Sequence, residues 1–139
     1  MKPGFASFVA GILWLLAGVP ASAHHSFAAE FDANKQIKLT GTVTKVEWKN
    51  PHAWFYLDVT DETGKVTNWA FELTGATALI RNGWGRNTLK VGDKITVEAN
   101  GAKDGSLRAS TRAVLTSTGQ RLLSGVNAEN QTASPSTVP

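Results

Sequence analysis

The segment IKLTGTVTKVEWK, residues 37 to 49, alternates apolar and polar residues with a period of two and then changes phase. Ile37, Leu39 and Val43 share one parity, whereas Val46 and Trp48 share the other. A strand keeps such residues on one face only if a residue is inserted near Thr44-Lys45. The expectation is a long first strand with a bulge that lets it bend.

The rest of the pattern follows from this start. AWFYLDVT sets Ala53, Phe55, Leu57 and Val59 on one face of a second strand and Trp54, Tyr56, Asp58 and Thr60 on the other. DETGK reads as a hairpin loop with Gly64 suited to positive φ, and VTNWAFEL as a third strand with Trp69, Phe71 and Leu73 inward. In TGATALIRNGW the spacing of Ala76, Leu79 and Ile80 becomes helical, with Thr74 or Thr77 as cap and Gly83 as terminator. A turn at Gly92-Asp93 leads to a fourth strand facing Ile95, Val97 and Ala99 inward. NGAKDGS turns the chain again, LRASTRAVLTS is the fifth strand, and another turn falls at Thr118-Gly119. Three strands, one short helix and two strands predict a mainly β protein: a small five-stranded OB-like Greek-key barrel with the helix between strands 3 and 4. An open β-meander is the competing topology.

The amino-terminal end has a different character. Lys2, an apolar run from Phe5 to Ala17, Pro20 and then Ala21-Ser22-Ala23 have the layout of a cleaved secretory signal. The run is too short to span a bilayer, so no lasting membrane anchor is expected. The partition is therefore 1–23 signal peptide, 24–36 amino-terminal arm, 37–123 barrel, and 124–139 a disordered tail without aromatic residues or periodicity. Export to the periplasm or the medium of a bacterium is the expected localisation.

Composition removes several function classes. The chain has no cysteine and its one methionine is Met1, so a zinc ribbon, a thiol nucleophile and a CxxC redox motif are excluded. The net charge of +3 is spread among both signs rather than gathered in a basic patch, which argues against a nucleic-acid partner.

All three histidines fall at two places: His24 and His25 at the expected mature start, and His52 in KNPHAW. In a barrel of this type His52 lies in the loop between the first two strands, a common ligand site. An amino-terminal histidine closes a chelate around one ion through its amine and ring nitrogen, and a second imidazole completes a plane of three nitrogens. That geometry suits Cu(II), and the lack of sulfur disfavours Cu(I). His24, His25 and His52 are the candidate metal ligands and copper the candidate cofactor. The set resembles the histidine brace of exported copper proteins. Cleavage after Ala21 would instead place histidine third, a terminus that chelates Cu(II) without help from His52. The bland alternative makes His24 and His25 signal-junction residues and His52 a turn residue.

AHHSFAAEFD, GTVTKVEWKNPHAWFYLDV, TNWAFEL and LKVGDKITVEANGAKDGS resemble a family of small exported bacterial proteins, domain of unknown function 6152. The resemblance runs from the signal peptide to about Leu123. It implies export and a small β-barrel, and carries no established activity.

A second constellation is aromatic. Trp54 and Tyr56 share the outward face of strand two, Trp48 is expected to join them, and Arg108 and Arg112 share the outward parity of strand five. Such a strip would stack an envelope glycan or meet a protein partner, unless the arm, with Phe27 and Phe31 at helical spacing, covers it. Glu47, Asp58 and Glu72 are expected on solvated faces, and no GxSxG elbow or P-loop occurs. The sequence thus favours a binding protein over an enzyme: a metal binder through the histidines, or a metal-independent periplasmic module through Trp48, Trp54 and Tyr56. An oxidative histidine-brace enzyme is a further alternative.

Overall fold

The computed structural model describes residues 27–124. They form α1 (Phe27–Glu30), β1 (Phe31–Glu47), β2 (Trp54–Thr60), β3 (Val66–Glu72), α2 (Ala76–Arg81), β4 (Lys94–Ala102), β5 (Arg108–Leu115) and β6 (Arg121–Leu123). The expected signal segment 1–23, the first arm residues with His24 and His25, and the tail from residue 125 on lie outside the described residues.

β1 is long enough to serve two neighbours. Its first part pairs with β4, from Gln36 opposite Asn100 to Thr42 opposite Lys94, and its second part with β2, from Thr42 opposite Asp58 to Glu47 opposite Trp54. The register slips between Val43 and Lys45, where the phase change in the sequence requires the bulge. Strand order β3-β2-β1-β4-β5-β6 is completed by a parallel pairing of β3 with β5, which brings the sheet back on itself. The expected OB-like barrel is thus formed by β1-β2-β3-β5-β4, with α2 between β3 and β4.

The inward parity of each strand makes the core. Val43, Phe55, Leu57, Phe71, Leu73, Ile95, Val97, Ala99 and Val114 are buried, with Leu79 of α2 and Trp84 packed against them. The Phe55 and Phe71 rings stack at 5.1 Å across β2 and β3. Trp84 gains a polar anchor as well, since its Nε1 donates to Leu123 O at 2.9 Å. Large side chains of this kind each contribute about 1.5–3 kcal/mol when fully buried.

Four details differ from the sequence expectations. β1 begins at Phe31 rather than Ile37, because Phe31 is buried opposite Ala102 even though the register is irregular from there to Gln36. The polar stretch between them has no alternation to reveal it. A sixth strand, Arg121–Leu123, follows the Thr118-Gly119 turn and pairs with β5. Ser124, expected to open the disordered tail, is buried and donates its N–H to Arg112 O. The amino-terminal cap of α2 is Gly75, without a side-chain hydrogen bond, rather than Thr74 or Thr77.

Phe71→Ala should lower stability by about 3–5 kcal/mol in urea unfolding, the range for deleting a buried aromatic ring. Val66→Ala, at a side chain the fold leaves exposed, should stay within about 0.5 kcal/mol.

Candidate functional site around His52 and Glu72

The β1–β2 loop is fastened to the start of α2. Ala76 N donates to Lys49 O at 3.2 Å, Thr77 N to Asn50 Oδ1 at 3.4 Å, and Ala53 N to Thr74 O at 3.2 Å. The Asn50-Pro51 peptide is cis. Gly75 permits this fit, since a Cβ there would stand 2.5 Å from Pro51 O and 2.6 Å from Asn50 Oδ1. The loop is therefore a fixed mount, and His52 sits on it.

His52 Nδ1 is hydrogen-bonded to Glu72 Oε1. Glu72 ends β3 opposite Trp54 and beside Ser110 of β5, and its side chain is 9% exposed while that of His52 is 43% exposed. A buried carboxylate needs a partner to offset its lost hydration, and the imidazole supplies one. A carboxylate only accepts, so whenever the ring is neutral its proton sits on Nδ1 and Nε2 keeps its lone pair. The pair thus presents one oriented acceptor nitrogen on a half-exposed ring. Glu72 corrects the expectation of a solvated strand carboxylate: it is buried although it alternates with the inward-facing Phe71 and Leu73, a position that gave no sequence signal of burial.

The aromatic strip is only partly as expected. Trp48 packs against the core and does not join Trp54 and Tyr56. Trp54 lies under the Arg108 guanidinium at 5.4 Å, and Tyr56 under Lys45 Nζ at 5.2 Å. Arg108 reaches Trp54 because β5 places it beside Ala70, whose other neighbour is Tyr56. Arg112 falls at the register irregularity, skipped between Thr111 and Ala113, and its Nε is buried without a partner. Cations therefore occupy the aromatic faces that a stacking ligand would use. Among the described residues of the arm, Glu30 of α1 reaches the strip, its carboxylate meeting Arg108 at 3.5 Å.

At the other edge of this face, Glu47 accepts from Lys45 at 2.8 Å and Lys49 at 3.1 Å, and from the Tyr56 hydroxyl at 3.3 Å. Hydrogen bonds from Lys45 and then Lys49 lower its pKa from the usual 4.5 to about 2. Among the described residues no three His, Cys, Asp or Glu side chains gather as a metal ion would need. His52 is the one expected ligand that the described residues include, and His24 and His25 lie outside them.

Two outcomes follow from this geometry. Gly75→Ala should destabilise the protein by about 1–3 kcal/mol in thermal or urea unfolding, because backbone rather than a flexible side chain stands in the way. A carboxyl group whose folded pKa is depressed stabilises the fold above its unfolded pKa and loses that contribution as pH falls through the folded one. The Glu47 contribution should therefore vanish between pH 4.5 and about 2, and carbon NMR should place its titration near 2 in the wild type and higher in Lys45→Met.

No curated protein matches the chain. Among solved structures, a dimeric structure of the N-terminal domain of PriB protein from Thermoanaerobacter tencongensis is similar at 16% identity with a TM-score of 0.44, over 60% of this chain and 96% of that one. A family described as a family of unknown function, DUF6152, matches residues 13–111, most of the chain, and the protein belongs to that family.

Proposed function

We propose that this is an exported binding protein that takes up Cu(II), or another divalent metal, through its mature amino-terminal histidine and His52. The supporting observation is the His52–Glu72 pair. Metal-ligating histidines commonly give their other ring N–H to a carboxylate, which fixes the tautomer and raises the basicity of the ligating nitrogen. His52 has that arrangement ready, on a loop held by backbone hydrogen bonds. The His24 amine and imidazole supply two further nitrogens, with His25 as an alternative third donor. A nitrogen set without sulfur selects Cu(II) over Cu(I). The role is that of a carrier, buffer or sensor rather than a catalyst.

The alternative, a metal-independent module that stacks an envelope glycan on Trp54 and Tyr56, would first have to move Arg108 and Lys45 off the rings. The histidine pair needs no such rearrangement.

Native mass spectrometry of the exported protein with one equivalent of Cu(II) should show a mature chain beginning at His24 with one copper retained. His52→Ala should lose that copper. Glu72→Gln should weaken its binding by about tenfold, the lower end for removing an outer-shell partner. Copper held by His52→Ala as tightly as by the wild type would rule the reading out.

A further inference from the structure

The bulge between Val43 and Lys45 bends β1, and the pairing of β1 with β2 ends at Thr42 opposite Asp58. In the same register Thr40 would face Thr60, the last residue of β2, yet the two are not paired. On its other side β1 keeps an unbroken register with β4, from Gln36 opposite Asn100 to Thr42 opposite Lys94. Among the described residues, no strand pairs with the remaining edge of β1 over residues 36–40.

The hydrogen bonds of Val43 show which backbone groups face that edge. Val43 donates its N–H to Asp93 O at 2.9 Å and its carbonyl accepts from Gly92 N at 2.8 Å, so its peptide groups point to the β4 side. Direction alternates along a strand. Ile37, Leu39 and Gly41 therefore bond to β4 as Val43 does, whereas Gln36, Lys38 and Thr40 turn their N–H and C=O groups to the open edge. A regular row of backbone donors and acceptors results, which is a template for a further strand.

The side chains decide what kind of strand fits. Ile37 and Leu39 pack against the core but remain partly exposed, and Gln36, Lys38 and Thr40 are exposed on the outer face. Lys38 lies opposite Glu98, whose carboxylate is bound by Arg121 at 2.8 Å. The hydrogen bond from Arg121, with the charges of Arg121, Lys38 and Arg112 added to it, holds the Glu98 carboxyl below its usual range. Three cations share one carboxylate, so the outer face beside the edge is positive.

We infer that residues 36–40 of β1 are a docking edge for an extended segment of a partner protein, one that alternates acidic and apolar residues and adds to the sheet as a strand. The inference does not rest on the metal reading. Backbone hydrogen bonds supply affinity in this mode and alternate side chains supply selectivity. An acidic residue would stand opposite Lys38, and apolar ones opposite Ile37 and Leu39. A second copy of this chain fits less well. Antiparallel pairing of two such edges, centred on Ile37, Lys38 or Leu39, sets each Lys38 directly opposite or diagonal to its counterpart, a like-charge contact. The cation that keeps copies apart thus selects an acidic strand.

The probe is the peptide acetyl-Glu-Val-Glu-Val-Glu-amide, titrated into the isotope-labelled, exported full chain and followed by NMR. Centred on Lys38, it turns the N–H groups of its glutamates to β1 and those of its valines away. In the free chain the amides of Gln36, Lys38 and Thr40 should exchange with solvent rapidly and those of Ile37 and Leu39 slowly; the peptide should slow the first set. Methylating the central glutamate nitrogen should weaken binding by about tenfold, and methylating a valine nitrogen by no more than about twofold. Lys38→Glu, a change at an exposed side chain, should weaken binding by about tenfold and turn the preference to a peptide with lysine in place of glutamate.

Slow exchange of Gln36, Lys38 and Thr40 in the free chain at every concentration would overturn the inference, since the edge would already be filled. Absence of binding would overturn it too, as would equal sensitivity to methylation at glutamate and valine, the mark of adsorption to charge alone. Protection of the same three amides that grows with protein concentration would give the edge to a second copy instead of an acidic partner. Should circular dichroism show that Lys38→Glu does not fold, the two methylated peptides decide the matter on the wild type.

Discussion

Three residue pairs between β3 and β5, Ala70 with Arg108, Phe71 with Ala109 and Glu72 with Ser110, bring the sheet around into a ring. Everything of functional interest depends on that short parallel contact. It buries Phe71 and Ala109 on the inside, and on the outside it sets Arg108 where its guanidinium reaches Trp54. It also pairs Ser110 with Glu72, so both edges of β3 are occupied where the carboxylate sits. Without the closure, β3 would be an edge strand and Glu72 a solvated end residue. The burial that makes the carboxylate need an imidazole is a product of the barrel itself.

That need turns a packing feature into a chemical one. A carboxylate with one partner, held under a ring in a low-dielectric setting, restrains the ring as much as the ring stabilises it. His52 is restrained from the other direction too, by the hydrogen bonds from Ala53 and Ala76 that fasten its loop to the β3–α2 junction. Of the two nitrogens, the one facing Glu72 is committed, and the other is available with its orientation already set. Outward-facing Glu47 shows the contrast: it is served by two lysines and the Tyr56 hydroxyl on an open face, and none of these partners is an imidazole.

Much of the fold was legible because the barrel's core strands obey a period of two. The phase change between Val43 and Val46 marked the bulge, Gly64 marked the hairpin and has φ of 87°, and the inward sets of β2, β3 and β4 are buried except for Val59 and Trp69, which pack against the core partly exposed. Segments whose place is decided by a distant neighbour could not be read this way. Phe31 belongs to β1 because Ala102 lies opposite it, and Arg121–Leu123 becomes a strand because β5 has a free edge there. Trp48 is a different case, since the phase change that bends β1 was legible and itself returns Trp48 to the inside, where it packs against the core. Glu72 was missed because a strand carboxylate is usually solvated, and its burial comes from a strand that is far away in the sequence.

The metal reading proposed above combines a chain terminus with a loop, and such a combination faces an entropic problem that a site built from two strands does not. Ordering a free terminus costs about 1–2 kcal/mol per residue, and that cost opposes binding unless part of it has been met in folding. Here the residues from Phe27 onward are already fixed by Lys103, by the Phe31–Ala102 pairing and by Arg108. The early start of β1, which the alternation did not predict, is thus the feature that ties the described part of the arm to β4.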